Sequence, residues 1–380
     1  MKLMQLLQVH GQWTTIRDDG LSKASLILCF AASALCRAGT LYQQIRTMFP
    51  QGDIVICSTG GEILDEEVFD QSIAVTAIEF ESSQIQVAKT DIQSPEQSCQ
   101  AANHLASQLK IEGLRLVWLI SDGLLVNGSE LIKGCRQVLP DSVLLTGGLA
   151  GDGADFQQTF TALNAEPTSG QLIAIGFYGD HLQLSCASYG GWDRFGPERK
   201  VTRSEGNILY ELDHQPALTL YKRYLGDEAE KLPSSALLFP LTIRAPGQHE
   251  SSVVRTILAI DEQNNSMTFA GDLPQGYTAQ LMRGNFDRLV EGAANAASQA
   301  KITGAQPALA LLVSCIGRKL LMGQRIADEV EAVSETLGTS VALTGFYSYG
   351  EIAPDTQSKR CELHNQTMTI TLIGEAIDNA

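Results

Sequence analysis

The sequence has no apolar run of the roughly 20 residues that a membrane-spanning helix needs, so insertion into a bilayer is not expected. It is also poor in basic residues, with 27 Lys and Arg against 43 Asp and Glu and a formal net charge of −16. Nonspecific binding to nucleic acid or to anionic membranes depends on basic patches, so neither partner is expected. Hydrophobic residues make up 44% and charged residues 18%, which is typical of a globular protein.

The eight cysteines include no CxxC pair and are too sparse for a disulfide scaffold, which indicates a reducing, cytoplasmic setting. No histidines are spaced i, i+4, and no Cys/His cluster has zinc spacing. Residues 25–36 have the length and small residues of a signal-peptide core. However, Asp18 and Asp19 precede them, and Leu35 occupies the position where a lipoprotein site needs a small residue. We therefore expect residues 26–30 to form a buried strand.

Three stretches share one pattern, an apolar β-branched run followed by small residues, glycine and an acid. They are residues 53–63, 142–153 and 340–352, and their acids are Glu62, Asp152 and Glu351. Glycine lets a backbone turn sharply or approach another group closely, and α/β folds hold ligands at strand ends. We expect the three glycine turns to gather along one edge of the sheets.

Part of the sequence recurs. Residues 101–123 and 293–317 each read as a helix, a break, an apolar strand and a small-residue ending, about 190 residues apart. A helix and a glycine turn follow in both places. The sequence therefore predicts an α/β fold of two related halves, built from β-α-β-β units with mixed sheets. The boundary is expected near Gly190, and an insert of strands between residues 206 and 270 distinguishes the second half.

Motifs for catalysis are weak. Residues 148–153, GLAGDG, match neither GxGxxG nor GxxxxGK[ST], and no helix is predicted after them, which disfavours a nucleotide loop. Cys315 and His364 could form a thiol–imidazole pair, although a buried structural cysteine is the simpler interpretation. His364, at a strand entrance beside Asn365, is the best histidine candidate, and His214, at a helix entrance, is the second. We expect the other four histidines at the surface: His10, His104, His181 and His249.

Several linked motifs resemble the FIST family, whose members pair a FIST N with a FIST C domain. They are CSTGGEI, SDG followed by GGLAGDG, LDHQPALTLYKRYLG, GFYSYGEIAP and LHNQTMT, and the resemblance runs from about residue 26 to residue 375. It implies a FIST N domain over residues 1–190 and a FIST C domain over residues 191–380. It also implies a bacterial signal-transduction sensor without catalysis of its own. Its partner would be a histidine kinase, or a diguanylate cyclase or phosphodiesterase of cyclic-di-GMP signalling.

Residues 190–213, GGWDRFGPERKVTRSEGNILYELD, further resemble the FIST subgroup called NosP, nitric-oxide-sensing haemoproteins. This resemblance implies a noncovalent haem b, since a CxxCH motif is absent, and nitric oxide as the signal. The expected axial ligand is His364 first and His214 second, with Cys57 and Cys315 ranked lower.

Two alternatives stay open at this stage. One is a haem-free module that binds a small metabolite such as an amino acid through acids around the glycine backbone. The other is a cysteine-dependent hydrolase or transferase that uses Cys315. A homo-oligomer is compatible with the sequence, and the five residues after Glu375 leave output to a separate partner. The candidate ligand or cofactor residues are His364 (also the haem-iron ligand), His214, Glu62, Asp122, Gly148, Asp152, Cys315, Tyr349, Glu351 and Asn365.

Overall fold

Three similar units and one inserted sheet make up the fold. The structure, a computed structural model, describes residues 1–232, 234–247, 252–302, 308–355 and 359–376. Three mixed six-stranded sheets and one eight-stranded sheet form within them. The expected α/β class with mixed sheets and related halves is confirmed. In addition, the repeated unit occurs a third time, at the start of the chain.

Unit 1 spans residues 2–79 and has short helices after its first central strand. It contains β1 (Lys2–Val9), β2 (Gln12–Asp18), β3 (Leu26–Ala32), α1 (Ser33–Arg37), α2 (Leu41–Met48), β4 (Asp53–Thr59), β5 (Glu62–Leu64), β6 (Glu67–Phe69) and β7 (Ser72–Glu79). Unit 2 spans residues 84–178 and has a helix before each central strand. It contains β8 (Gln84–Asp91), α3 (Ser98–Ser107), β9 (Leu114–Ser121), α4 (Gly128–Arg136), β10 (Leu144–Leu149), β11 (Thr161–Leu163) and β12 (Gln171–Tyr178).

Unit 3 is interrupted by the insert, residues 193–283. It begins with β13 (Leu182–Tyr189). The insert contains β14 (Asp193–Glu205), β15 (Ile208–Leu212), β16 (Gln215–Pro216), α5 (Ala217–Leu225), β17 (Leu241–Arg244), β18 (Val253–Arg255), β19 (Ile257–Asp261), β20 (Ser266–Phe269) and β21 (Thr278–Arg283). Unit 3 then resumes with α6 (Phe286–Gln299), β22 (Leu309–Cys315), α7 (Ile316–Met322), α8 (Ala327–Leu337), β23 (Ala342–Ser348), β24 (Gly350–Pro354), β25 (Cys361–His364) and β26 (Met368–Glu375). Short 3-10 turns cover Pro95–Gln97, Gly226–Lys231, Ser234–Leu238 and Gly323–Arg325.

Each unit contributes a parallel pair of central strands to its own sheet: β3 with β4, β9 with β10, and β22 with β23. The short strand that follows each pair crosses to a neighbouring sheet. Strand β5 of unit 1 pairs with β23, β11 of unit 2 pairs with β4, and β24 of unit 3 pairs with β10. The three units are therefore locked together in a cycle, and they cannot separate without breaking sheet hydrogen bonds.

The inner faces of the three sheets share one hydrophobic core. Each sheet places one aromatic ring at its centre: Phe30 on β3, Trp118 on β9 and Phe346 on β23, all fully buried. Phe30 stacks on Phe346 at 5.0 Å and meets Trp118 edge-on at 6.2 Å between ring centroids. A separate core cluster fills the insert, between its sheet and α5.

Local chemistry explains where several elements begin and end. The buried strand expected over residues 26–30 is β3. Helix α2 starts at Leu41, two residues after Gly39, whose φ of +73° is outside the helical region. Asn127 is the N-cap of helix α4, and its side chain accepts hydrogen bonds from the backbone N–H groups of Ser129 and Glu130. No helix in the described part of the chain is long and apolar enough to cross a membrane.

Candidate functional site

The glycine turns lie at the carboxyl ends of β4, β10 and β23, which belong to three different sheets. Three of the predicted site residues share one row across neighbouring strands: Gly148 on β10 pairs with Glu351 on β24, which pairs with His364 on β25. A side chain at Gly148 would place its Cβ 2.5 Å from Val313 and 3.1 Å from the Phe346 ring. Glycine is required there by close packing of two sheets.

Glu62 is a buried carboxylate at the end of unit 1, with 1% of its surface exposed. It accepts hydrogen bonds from the hydroxyl of Thr59 and from the hydroxyl and backbone N–H of Ser72, the latter two at 2.6 and 3.2 Å. Burial raises the pKa of Glu62 to about 7 despite these donors. It lines a cleft of about 120 Å³ between units 1 and 2, which Arg37 and Asp152 also line.

Glu351 occupies the equivalent position in unit 3 and is fully buried. It accepts from the hydroxyl of Ser348 at 2.8 Å, and from the backbone N–H and hydroxyl of Thr367 at 3.1 and 3.0 Å. Burial raises the pKa of Glu351 to about 8, while these donors and the positive charge of Arg318 act in the opposite direction. Both glutamates therefore hold the start of the last strand of their unit.

The predicted acids of unit 2 hold loops. Asp152 accepts from three consecutive backbone N–H groups, those of residues 156–158, at 2.7 to 2.9 Å. It also accepts from the hydroxyl of Tyr349, whose ring stacks on Phe156 at 4.5 Å. Asp122 accepts from the backbone N–H groups of Leu124, Leu125 and Gly170, at 2.8 to 2.9 Å. These carboxylates are committed to the protein's own backbone, which accounts for them without a ligand.

His364 is the last residue of β25, and Asn365 begins the turn to β26, beneath the insert. His364 is 8% exposed, its Nε2 lies 3.1 Å from the carbonyl oxygen of Ala353, and burial lowers its pKa to about 4, so the ring is neutral. The side-chain oxygen of Asn365 accepts from the backbone N–H of Thr256 in the insert at 3.3 Å. Its amide nitrogen has no partner within the described ranges. His214 lies elsewhere, on an exposed turn with a φ of +61°.

The two candidate cysteines, Cys57 and Cys315, are buried free thiols. Burial raises the pKa of Cys57 and of Cys315 far above the usual range of a thiol, and neighbouring Glu351 raises that of Cys315 further. The groups that lower the pKa of Cys315 are two backbone N–H groups and Arg318. The net effect on Cys315 is a raised pKa, the opposite of the lowered pKa that activates a nucleophilic cysteine.

The largest cavity described, about 950 Å³, lies where the insert meets units 2 and 3. We call it the insert cavity. Its wall comes from α4, the insert strands β17 and β18, the loop before β21, and β25. The residues that line it include Ile132, Lys133, Arg136, Asp141, Ile243, Val253, Arg255, Asp272, Tyr277, Lys359, Arg360, Glu362 and Leu363. Sequence reasoning missed this site because its residues form no local motif.

Two family models match successive parts of the chain. The model of the FIST N domain matches residues 25–215, and the model of the FIST C domain matches residues 217–354. The chain belongs to the FIST family. FIST domains are signal-transduction sensor domains.

Two individual proteins are similar to this FIST chain. An uncharacterized protein of Methanocaldococcus jannaschii is 22% identical over 340 residues, which cover 82% of this chain and 64% of the relative. The chain thus spans somewhat less than two thirds of that relative's length. Among solved structures, the cyanuric acid hydrolase from A. caulinodans aligns over 93% of this chain and 90% of its own, with 7% identity and a TM-score of 0.31. A likeness this weak carries no argument about function.

The resemblance to NosP raises the question of whether these residues fit a haem. A haem needs an accessible axial ligand and an apolar slot. His214 stands on an exposed turn, and Cys57 and Cys315 are buried and protonated. His364 is neutral and held by a backbone carbonyl, as metal-bound histidines are, but it is not among the residues that line the insert cavity. As the described residues are arranged, they do not fit a haem. Within the same residues, no group of three or more His, Cys, Asp or Glu side chains is placed to hold a metal ion.

Proposed function

We propose that this FIST protein is a sensor whose small-molecule ligand binds in the insert cavity. The observation that carries the proposal is the position of the cavity, with walls from unit 2, the insert and unit 3. Its volume of about 950 Å³ lies in the range typical of small-molecule sites. A ligand that touches all three walls binds best at one relative position of the insert. Such a ligand has different affinities for two positions of the insert, and this difference is what a switch requires.

Contacts along β25 give the cavity a route to the rest of the molecule. The Leu363 carbonyl accepts from Arg255 of the insert at 2.8 Å. Three residues later, the Gln366 amide donates to the carbonyl of Leu237 and the hydroxyl of Thr256, at 3.0 and 3.1 Å. The insert is thus fixed to unit 3 through the same segment that closes the cavity, and a ligand acts on both.

Output in this proposal goes through a separate enzyme, and the sensor has no catalysis of its own. A histidine kinase, a diguanylate cyclase or a phosphodiesterase is the partner that the signalling role of FIST domains supports. The cytoplasm is the proposed location, because all eight cysteines are free thiols.

The first test is ligand binding measured on the full chain. A thermal-shift screen with small carboxylates, amino acids, phosphate esters and amines should find compounds that raise Tm. A bulky substitution in the cavity wall, Ile132→Trp, should abolish the shift, whereas Ile111→Trp at an exposed site should preserve it. Ligands that stabilise the Ile132→Trp variant as well as the parent would refute this location.

The second candidate is a haem b sensor of nitric oxide, of the NosP type. The neutral His364 ring, oriented by a backbone carbonyl, favours it, but the ring must turn out of its present packing to reach a haem. The absorbance spectrum of protein expressed with a haem precursor, with and without nitric oxide, separates the candidates. We expect no stoichiometric Soret band. A Soret band that shifts with nitric oxide and is lost in His364→Ala, but not in His214→Ala, would establish the second candidate instead.

A further inference from the structure

The insert cavity carries a local charge opposite to that of the whole protein. Five basic side chains line it, against the three acids Asp141, Asp272 and Glu362, in a chain with a formal net charge of −16. The basic residues are Lys133, Arg136, Arg255, Lys359 and Arg360. A concave surface with an excess of one charge concentrates field lines and attracts ligands of the opposite sign.

Arg255 is the buried member of this set, with 6% of its surface exposed. Its guanidinium donates to three neutral acceptors: the carbonyl oxygens of Asp272, Val254 and Leu363, at 3.1, 3.3 and 2.8 Å. Among the described residues no carboxylate forms an ion pair with it, and Glu362 and Asp272 act on its charge only from a greater distance. The carboxylate of Asp272 is turned to Asn127 instead, which donates to it at 3.0 Å.

This arrangement leaves a buried positive charge beside a cavity, with no carboxylate bonded to it directly. Burial lowers the pKa of Arg255 to about 10, which still leaves it charged at neutral pH. An unpaired buried charge is costly, and an anion in the cavity would compensate it. Guanidinium groups suit carboxylates and phosphates because their N–H donors match the geometry of these anions.

Most of the remaining wall is apolar or aromatic, from Ile132, Ile243, Val253, Tyr277 and Leu363. A free inorganic anion would leave this apolar surface exposed to water, whereas a ligand with a hydrocarbon or aromatic body would bury it. We infer that the insert cavity binds a small organic anion with an apolar body, with Arg255 as its counter-ion. This inference rests on the proposed function, because it names the ligand class of the same cavity.

The test uses probes that share one apolar body and differ in charge. The fluorescent sulfonate 1-anilinonaphthalene-8-sulfonate is titrated into the folded full chain at pH 7.5, and is then displaced with hexanoate, hexyl phosphate, hexan-1-ol or hexylamine. We expect saturable binding, with displacement by hexanoate or hexyl phosphate at concentrations at least tenfold lower than by hexan-1-ol or hexylamine. Which of the two anions binds more tightly then separates a carboxylate from a phosphate ligand.

Matched variants locate the effect. Arg255→Met should weaken the binding of hexanoate about tenfold or more, the cost of losing a hydrogen-bonded charge. Arg255→Lys should retain part of the affinity, and Arg115→Met, at an exposed site on β9, should change it by less than twofold. If Arg255→Met does not fold, Lys133→Glu serves instead: this side chain is 63% exposed at the cavity wall, and the reversed charge should weaken hexanoate several-fold.

The outcomes distinguish failure of the anion inference from failure of the proposed function. Equal displacement by hexan-1-ol, hexylamine and hexanoate would overturn the anion class while leaving a ligand cavity in place. So would unchanged affinity in both Arg255→Met and Lys133→Glu. If no probe binds saturably or raises Tm, the proposed function fails along with the inference.

Discussion

Replacing Glu351 with glutamine should make the protein less sensitive to pH. The carboxyl of Glu351 has an ordinary pKa of 4.5, which burial in the folded protein raises to about 8. Between these values the unfolded chain binds fewer protons at this group than the folded chain does, so the free energy of unfolding falls as pH rises. Each pKa unit corresponds to 1.36 kcal/mol, and the group therefore removes about 3 kcal/mol between pH 5 and pH 7.

Glutamine is the appropriate substitution because it keeps the shape and an acceptor for the Thr367 N–H, yet it has no charge to bury. Urea unfolding of Glu351→Gln and the parent at pH 5, 6, 7 and 8 gives the difference in unfolding free energy. We expect the unfolding free energy of the variant to rise relative to that of the parent by about 3 kcal/mol from pH 5 to pH 7. Above about pH 8 the difference should level off. Other groups cancel in the difference because both proteins share them.

Two further variants fix the interpretation. Glu62→Gln should show the same sign but level off near pH 7, because burial raises the pKa of Glu62 to about 7. Glu112→Gln, which replaces an exposed carboxylate, is the control for a Glu-to-Gln substitution outside the core. A difference between parent and Glu351→Gln that stays constant within about 1 kcal/mol from pH 5 to pH 8 would refute the raised pKa, since one pKa unit is 1.36 kcal/mol.

Two predictions test the packing of the units. Phe30→Ala should lower the unfolding free energy by about 3 to 5 kcal/mol, because its ring contacts aromatic rings of both other sheets, whereas Ile16→Ala, at a site 39% exposed, should cost far less. Urea unfolding measures both, and equal costs would contradict a shared central core. Arg318→Met should cost about 3 to 5 kcal/mol, because it leaves the fully buried Glu329 without its ion pair. The double variant with Glu329→Gln should recover part of that loss, and no recovery would mean that the two side chains are not energetically coupled.

The strand ends could be predicted from the sequence because their signals are local. An apolar run, a glycine cluster and an acid occupy fewer than a dozen residues around Glu62, Asp152 and Glu351. A local pattern also identifies two copies of the repeated unit, in which helices α3 and α6 precede the central strands. The copy at the start of the chain differs from the other two, because unit 1 has strand β2 where they have that helix.

The insert cavity could not be predicted in this way. Lys133 on α4, Arg255 on β18 and Leu363 on β25 are distant in sequence, and only the packing of the insert brings them together. Sequence reasoning also treated the acids as ligand anchors, whereas Asp122 and Asp152 hold backbone N–H groups of their own loops. Acids near glycine turns serve both purposes, and the pattern of residues does not distinguish them.

The first and third units differ in what covers their equivalent glutamates. In unit 1 the end of β4 lines a cleft of about 120 Å³, and Glu62 forms part of its wall. In unit 3 the insert lies over the corresponding end, where Thr256 donates its backbone N–H to Asn365. Both glutamates are almost completely buried, and burial raises the pKa of each.

One short segment of the chain links Glu351 to the proposed ligand site. Leu363 lines the insert cavity, and Thr367, four residues along the turn, donates two hydrogen bonds to Glu351. Between them, Asn365 and Gln366 hold the insert. Ligand binding and protonation of Glu351 therefore act on one short segment. A ligand that moves this segment and loosens the bonds from Thr367 would favour the neutral form of Glu351, because those donors stabilise the charged form.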